Sequence, residues 1–229
     1  MSANRKQRAL RHQRAVSRSV VKHRQAAGPR RAVQSPLPPG AIPSTATTWP
    51  VLETLISSDW EEPGELVQIL VARASNSGRV AAAAFLIDLG CLGVKNAMAI
   101  GFDSMVDYMN FREDMTEVQD FKIADINLAA RIIREAVRYA RDLGFQPHRD
   151  LGKAMMILGS ADPDAPNVAG VEIPVGEEDG KPLFISGPHD NVRAILYKLT
   201  ERCGPDGFHF AVGGPKVLDL VEIEEDEAA

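Results

Sequence analysis

Cys91 invites a catalytic hypothesis, because glycines surround it in the segment Asp88-Leu-Gly-Cys-Leu-Gly93. A nucleophilic thiolate needs a lowered pKa and a histidine base within reach. His189 is a candidate base, and Asp190, the next residue, would orient it. Asp88 precedes the cysteine by three residues. Together these four residues define the hypothesis of a small hydrolase or transferase.

The neighbours of Cys91 favour a different interpretation. Leu89, Leu92 and Val94 are apolar, and no family-specific catalytic signature surrounds the thiol. Such a context is more typical of a buried structural cysteine. We therefore assign no catalytic residue and expect a protein without enzymatic activity. The hydrolase or transferase stays as the alternative hypothesis.

Sequence motifs for metal or nucleotide binding are weaker than the pattern around Cys91. Cys203 and His209 are separated by five residues, but the chain contains no Cys-x-x-Cys or His-Glu-x-x-His pattern. Gly90 and Gly93 lack the third glycine of a dinucleotide loop. We expect no metal and no cofactor. Lys95 follows the same glycines, and either an acid–base pair with Asp88 or a salt bridge would explain it.

Four arginines form what we call the arginine ridge: Arg131, Arg134, Arg138 and Arg141. Their spacing places them within about 80° of one face of a helix. Such a row is a candidate contact surface for the phosphates of a nucleic acid. The alternative is a solvated face whose charges pair with Glu135 and Asp142.

Charge is divided unevenly along the chain. The first 52 residues contain ten lysines and arginines and no acid, whereas the remaining 177 contain 16 lysines and arginines and 31 acids. The net charge of −5 therefore combines a basic N-terminal part of +10 with a body of −15. Such asymmetry is typical of an arm that contacts a polyanion. The candidate phosphate contacts in this arm are Arg5, Lys6, Arg8, Arg11, Arg14 and Arg18.

Three other interpretations of the arm stay open. It resembles an organelle transit peptide in its arginines, serines and weak amphipathic pattern. In the second interpretation, the arm pairs with the acidic end of its own chain. In the third, it is a solubilising extension without a partner. Only one weak apolar stripe is present, made of Leu10, Val16, Val20 and Val21. No aromatic residue lies among the charges, so we expect no base stacking there.

We expect four segments along the chain. Residues 1–27 form the basic arm, disordered or helical, and residues 28–50 form a proline-rich linker. A single domain covers residues 51–221, and an acidic tail covers residues 222–229. The linker prediction depends on proline, which disfavours a helix.

Bulk composition indicates an ordinary soluble protein. Hydrophobic residues make up 45% of the chain and charged residues 25%. Two cysteines exclude a disulfide framework and favour a reducing compartment. The longest apolar run, Val80 to Ile87, is too short to cross a bilayer, and we expect no secretory signal because no apolar stretch follows the N-terminal charges. We expect a cytoplasmic protein without membrane contact, and leave its oligomeric state open.

Secondary-structure patterns predict an α+β fold, with a mainly antiparallel sheet of hairpins packed with two to three helices. Leu66–Ala72 and Val80–Leu89 are predicted to pair through a turn at 76–78, with Ile69 and Phe85 in the core. The other predicted elements are a short helix at Val51–Ser57, an irregular or helical segment at Met98–Asn110, a helix from Asn127 to Leu143, a helix from Asp150 to Gly159, a hairpin of Val171–Val175 with Leu183–Ser186, a helix at Asn191–Arg202 and a strand at Phe208–Val212.

Three segments resemble bacterial conserved proteins to which no activity is assigned. They are Phe85-Leu-Ile-Asp-Leu-Gly-Cys-Leu-Gly-Val-Lys95, Ala140-Arg-Asp-Leu-Gly-Phe-Gln-Pro147 and Gly180-Lys-Pro-Leu-Phe-Ile-Ser-Gly-Pro188. The resemblance covers most of the body. It implies a bacterial cytosolic origin and brings no activity or site residues with it.

The leading hypothesis is an accessory protein that is not an enzyme. Its folded body carries a basic arm, and the arm contacts an anionic partner such as RNA or a ribonucleoprotein. The alternatives are the cysteine-dependent enzyme and an organelle-imported protein whose arm is removed.

Overall fold

The computed structural model describes residues 40–212, so the predicted arm and acidic tail lie outside the described residues. Five strands form one sheet: β1 (Val51–Ser57), β2 (Leu66–Ala74), β3 (Val80–Asp88), β4 (Gly93–Phe102) and β5 (Phe121–Ile123). The α-helices are α1 (Met105–Thr116), α2 (Ile126–Asp142), α3 (Leu151–Met155) and α4 (Val192–Cys203). Strands β6 (Leu183–Ile185) and β7 (His209–Ala211) form a second, small sheet.

The large sheet confirms the predicted α+β class. Its strand order is β4-β3-β2-β1-β5, and each neighbouring pair is antiparallel. Four α-helices accompany the sheet within residues 40–212, rather than the two or three expected. None of these helices is long and apolar enough to cross a membrane.

Strands β2 and β3 form an antiparallel hairpin, as predicted. Ile69 is paired with Phe85, and both side chains are buried. Gly78 closes the turn with a φ of +83°, a conformation that glycine adopts without a steric penalty. Two nearly continuous apolar strands joined by this short turn therefore form the hairpin locally.

Four consecutive alanines on β3 allow helices to pack on both faces of the sheet. Ala81 and Ala83 face the cluster that contains α2 and α3, and Ala82 and Ala84 face the cluster under α1. Small side chains bring a helix close to the strand, so longer residues of the helices fill the core. The sheet is consequently buried on both sides at β3.

The prediction of a helix at Val51–Ser57 was wrong, because this segment forms strand β1. It pairs with β2 along most of its length, and Leu55–Ser57 also pair with β5. β-branched Thr54 and Ile56 suit a strand, but seven residues carry too little pattern to decide between helix and strand. The pairing with β2 decided it.

The segment Met98–Asn110, expected to be irregular or a short helix, contains the end of β4 and the first half of α1. β4 pairs with β3 from Gly93 to Phe102, with a bulge near Ile87. Helix α1 begins after Ser104, whose hydroxyl accepts a hydrogen bond from the Asp107 N–H at 3.2 Å. Sequence reasoning missed this serine cap.

Helix α2 is present as predicted, with its start shifted. Asp125 rather than Asn127 is the N-cap, and its carboxylate accepts from the Asn127 N–H at 2.7 Å. Gly144 follows the helix with a φ of +85°, as the predicted stop requires. Its buried face is formed by Ala129, Ala130, Ile132, Ile133, Ala136 and Ala140.

The hairpin predicted between Val171–Val175 and Leu183–Ser186 was wrong. Residues 171–175 have no regular structure, whereas β6 pairs in parallel with β7, more than 20 residues later. The connection passes through α4, which begins at its Asn191 cap. Asp179 and Gly180 do form a tight turn, but it does not join two strands.

Part of the predicted linker packs against the body. Ser44–Thr48 form a 3-10 helix between Pro43 and Pro50, and Ala46 within it is fully buried in the main core. The prolines flank this helix rather than interrupt it, so they are compatible with one turn. The folded body consequently includes residues before the predicted boundary at 51.

Candidate functional site

The turn between β3 and β4 brings together most of the residues of the enzyme hypothesis. Asp88 ends β3 and is only 5% exposed, and its Oδ1 accepts from the Cys91 N–H at 2.9 Å. A Cβ on Gly90 would lie 2.3 Å from the Leu183 carbonyl oxygen. A Cβ on Gly93 would lie 2.6 Å from the Ala140 Cβ. The glycines of this motif therefore allow close packing against β6 and α2.

Lys95 forms its salt bridge with Asp190, not with Asp88. The Lys95 Nζ lies 2.6 Å from the Asp190 Oδ2, and both side chains are nearly buried. The same oxygen accepts from the Gly187 N–H at 2.7 Å. This pair joins the start of β4 to the loop before α4, across 95 residues of sequence.

Electrostatics at this cluster oppose a reactive thiol. Burial raises the pKa of Asp88, and nearby Asp190 raises it further, although Lys95 acts in the opposite direction. Burial raises the pKa of the Cys91 thiol well above its ordinary value, and Asp88 adds to this effect. A catalytic thiolate requires the opposite shift. Cys91 is also completely buried.

The structure does not join Cys91, His189 and Asp190 into a hydrogen-bonded series. His189 is exposed and makes no hydrogen bond or ion pair within residues 40–212. Asp190 is engaged by Lys95 and Gly187. The arrangement is that of a structural anchor, which holds a tight turn against the α4 region.

A shallow depression lies next to Asp88. It is lined by Gly64, Glu65, Leu66, Asp88, Leu183 and Ile185, and it is too small to enclose a water molecule. Sites for drug-sized ligands are larger, roughly 300–1,000 Å³. The Asp88 Oδ2 atom is buried and has no hydrogen-bond partner in the described part of the chain. No group of three or more metal-ligating side chains occurs in that part either.

Burial of Asp88 should make the stability of the folded protein depend on pH. Its pKa is raised in the folded protein, so it contributes stability at low pH, below the unfolded value of about 3.9, and that contribution is lost as pH rises through the folded pKa. The stability of the wild type relative to Asp88→Asn should therefore fall as pH rises from about 4. Urea unfolding at a series of pH values measures this difference.

Glu178→Gln is the matched control, because Glu178 is exposed. This change should leave the shape of the stability profile unaltered. A wild type that gains stability over Asp88→Asn as pH rises would show that the carboxylate is favoured in its ionised form, contrary to this prediction.

The arginine ridge is largely engaged within the body. Arg131 donates to the Val171 carbonyl oxygen at 2.9 Å, and Arg134 binds Asp164 through two hydrogen bonds of 2.6 and 2.9 Å. The hydrogen bond with Arg134 lowers the pKa of Asp164. These arginines hold the loop at 162–171 against α2.

Arg138 of the ridge pairs with both acids named in the alternative interpretation, Glu135 and Asp142. Arg138 Nε lies 2.9 Å from Glu135, and its Nη1 lies 3.7 Å from Asp142. Arg141 is exposed and has no ion pair among residues 40–212. Sequence reasoning missed Asp164, because only the docking of its loop brings it to the helix.

No protein-family model, curated protein or solved structure matches this chain. The resemblance to bacterial proteins of no assigned activity therefore stays a prediction. Function has to be argued from charge and geometry.

Proposed function

We propose that this protein is a non-enzymatic, cytoplasmic accessory protein of bacterial origin that binds RNA, alone or in a ribonucleoprotein, through its basic N-terminal arm. The separation of charge carries the proposal, because no acid occurs before Glu53 while ten lysines and arginines do. Lysine and arginine bind phosphates and release condensed counterions, which gives affinity without sequence specificity.

Pairing within the body supports an arm-centred contact. Arg131, Arg134 and Arg138 of the ridge already bind carbonyl or carboxylate oxygens, which leaves Arg141 as its unpaired member in residues 40–212. The part of the chain after residue 52 carries a net charge of −15. Such a body repels a polyanion elsewhere on its surface.

Binding should be strongly salt-dependent and insensitive to sequence. Residues 1–27 contain eight lysines and arginines. If all of them contact single-stranded RNA, affinity should fall roughly 10³-fold between 50 and 200 mM salt. Replacing Arg8, Arg11 and Arg14 with glutamine should weaken binding to every sequence and reduce the slope of log K against log salt by about 2. Fluorescence anisotropy with full-length protein measures both quantities.

The matched control removes three exposed arginines from the body, with Arg138→Gln, Arg141→Gln and Arg149→Gln. This variant should keep most of the affinity and the slope. The proposal fails if full-length protein does not bind RNA at low salt, or if the arm variant binds as tightly as the wild type. It also fails if intact mass shows that the mature protein has lost the arm.

A further inference from the structure

The outer face of helix α1 exposes two large apolar side chains. The inner face packs Tyr108, Phe111 and Met115 against the sheet. Val106 and Met109 point outward and are 68% and 48% exposed. Because they are three residues apart on a helix, their side chains are neighbours and form one patch.

Two carboxylates continue this patch along the helix. Glu113 and Glu117 are exposed and lie within about 80° of Val106 and Met109 on the helical wheel. Arg112, the only basic residue between positions 103 and 120, binds Glu53 at 2.8 and 3.0 Å. The two glutamates have no ion pair within residues 40–212. We call these four residues the α1 stripe.

The first described residue, Gly40, lies close to the start of this helix. The Gly101 N–H donates to the Gly40 carbonyl oxygen at 3.0 Å, and Gly101 lies four residues before α1. A Cβ on Gly101 would lie 2.5 Å from the Ala41 carbonyl oxygen, so the two segments are in close contact. Twelve residues, as in 28–39, can span at most about 40 Å, whereas α1 extends only about 18 Å to Glu117.

We infer that residues 1–27 dock on the α1 stripe when no RNA is bound. The arm has the complementary chemistry, since it combines eight positive charges and no acid with the weak apolar stripe of Leu10, Val16, Val20 and Val21. Apolar contacts with Val106 and Met109 and ion pairs with the glutamates would hold it there. This inference rests on the proposed function: docking competes with RNA for the same basic residues.

Zero-length crosslinking of the full-length protein tests the contact directly. A carbodiimide couples a lysine amine to an adjacent carboxylate, and the lysines of the arm are Lys6 and Lys22. Mass spectrometry should find their crosslinks concentrated at Glu113 and Glu117, and high salt should abolish them. Crosslinks spread evenly over exposed acids such as Glu178, or concentrated in the tail at 222–229, would overturn the inference.

Crosslinking a mixture of isotopically light and heavy chains shows whether the arm on the α1 stripe belongs to the same chain or to a second copy. Crosslinks within one chain support docking of its own arm, and crosslinks between light and heavy chains would overturn this in favour of a second copy.

A neutral variant tests the competition. Val106→Ser with Met109→Ser changes no charge, and it should raise the affinity of full-length protein for single-stranded RNA about threefold at low salt. Tyr197→Ser with Phe210→Ser alters two other exposed apolar residues and should leave affinity unchanged. Equal affinities of both variants and the wild type would contradict competition. If the protein binds RNA but shows no crosslinks at the stripe, the docking inference is wrong and the proposed function stands. If crosslinks form but RNA does not bind, the proposed function is wrong and the docking contact stands.

Discussion

Replacing Arg73 with methionine is expected to lower the free energy of unfolding by about 3–5 kcal/mol. Arg73 lies on β2 and is only 7% exposed. Its guanidinium donates to the carbonyl oxygens of Ile157 at 2.5 Å, Leu158 at 2.8 Å and Trp49 at 2.7 Å. Methionine fills similar volume but donates no hydrogen bond, so the Ile157 and Trp49 carbonyls lose this donor and the Leu158 carbonyl keeps only the Ala161 N–H.

The architecture explains why this effect should be large. Ile157 and Leu158 end the 3-10 helix that follows α3, where carbonyl groups have no partner within the helix. The third acceptor, Trp49, belongs to the segment that precedes β1. One side chain thus ties three separate parts of the chain together.

Urea unfolding measures this loss, with Arg149→Met as the matched control. Arg149 has a side chain that is 79% exposed, so its replacement should change stability by less than about 0.5 kcal/mol. Arg73→Lys should lie between the two, because a lysine keeps the charge but does not reproduce the planar fork of donors. Equal stabilities of the Arg73→Met and Arg149→Met proteins would refute the structural role of Arg73.

Replacing Phe85 with alanine should cost about 3–5 kcal/mol, because it removes a large side chain from the centre of the core. Phe85 lies on β3, an interior strand of the sheet, between Ile69 on β2 and Ala97 on β4. It is completely enclosed within the main hydrophobic cluster. Its rigid strand neighbours cannot collapse fully into the space left behind.

The test compares chemical unfolding of Phe85→Ala with that of Phe210→Ala. Phe210 lies on β7 and is 49% exposed, so its truncation should cost much less. The midpoint should shift without a change in the m-value if the native fold is kept. A loss for Phe85→Ala no greater than for Phe210→Ala would mean that β3 does not lie in the core.

Local pattern was sufficient where the deciding contacts are close in sequence. The β2–β3 hairpin follows from two apolar strands and a glycine turn at 78, and α2 follows from its apolar periodicity and Gly144. A helix is formed by bonds between residues four apart, and a hairpin by residues joined through a short turn. A single stretch of sequence is therefore sufficient to predict these elements.

The sequence-based hypothesis grouped four candidate catalytic residues, and three of them do lie near one another. Asp88 and Cys91 do share a turn, and Asp190 does reach it. Nothing local indicated that Lys95 would take Asp190 as its partner, or that His189 would stay exposed. The apolar neighbours of Cys91 did predict its burial, since Leu89, Leu92 and Val94 all lie within three residues of it.

Only the tertiary structure decided the elements that depend on distant partners. Val51–Ser57 became a strand because β2 offers a paired edge, and Leu183–Ile185 pairs with β7 rather than with residues 171–175. Arg73 and the arginine ridge found carbonyl and carboxylate acceptors on loops up to 85 residues away. Short strands and arginine side chains have little intrinsic preference, so burial and hydrogen bonds supplied by remote segments determine where they go.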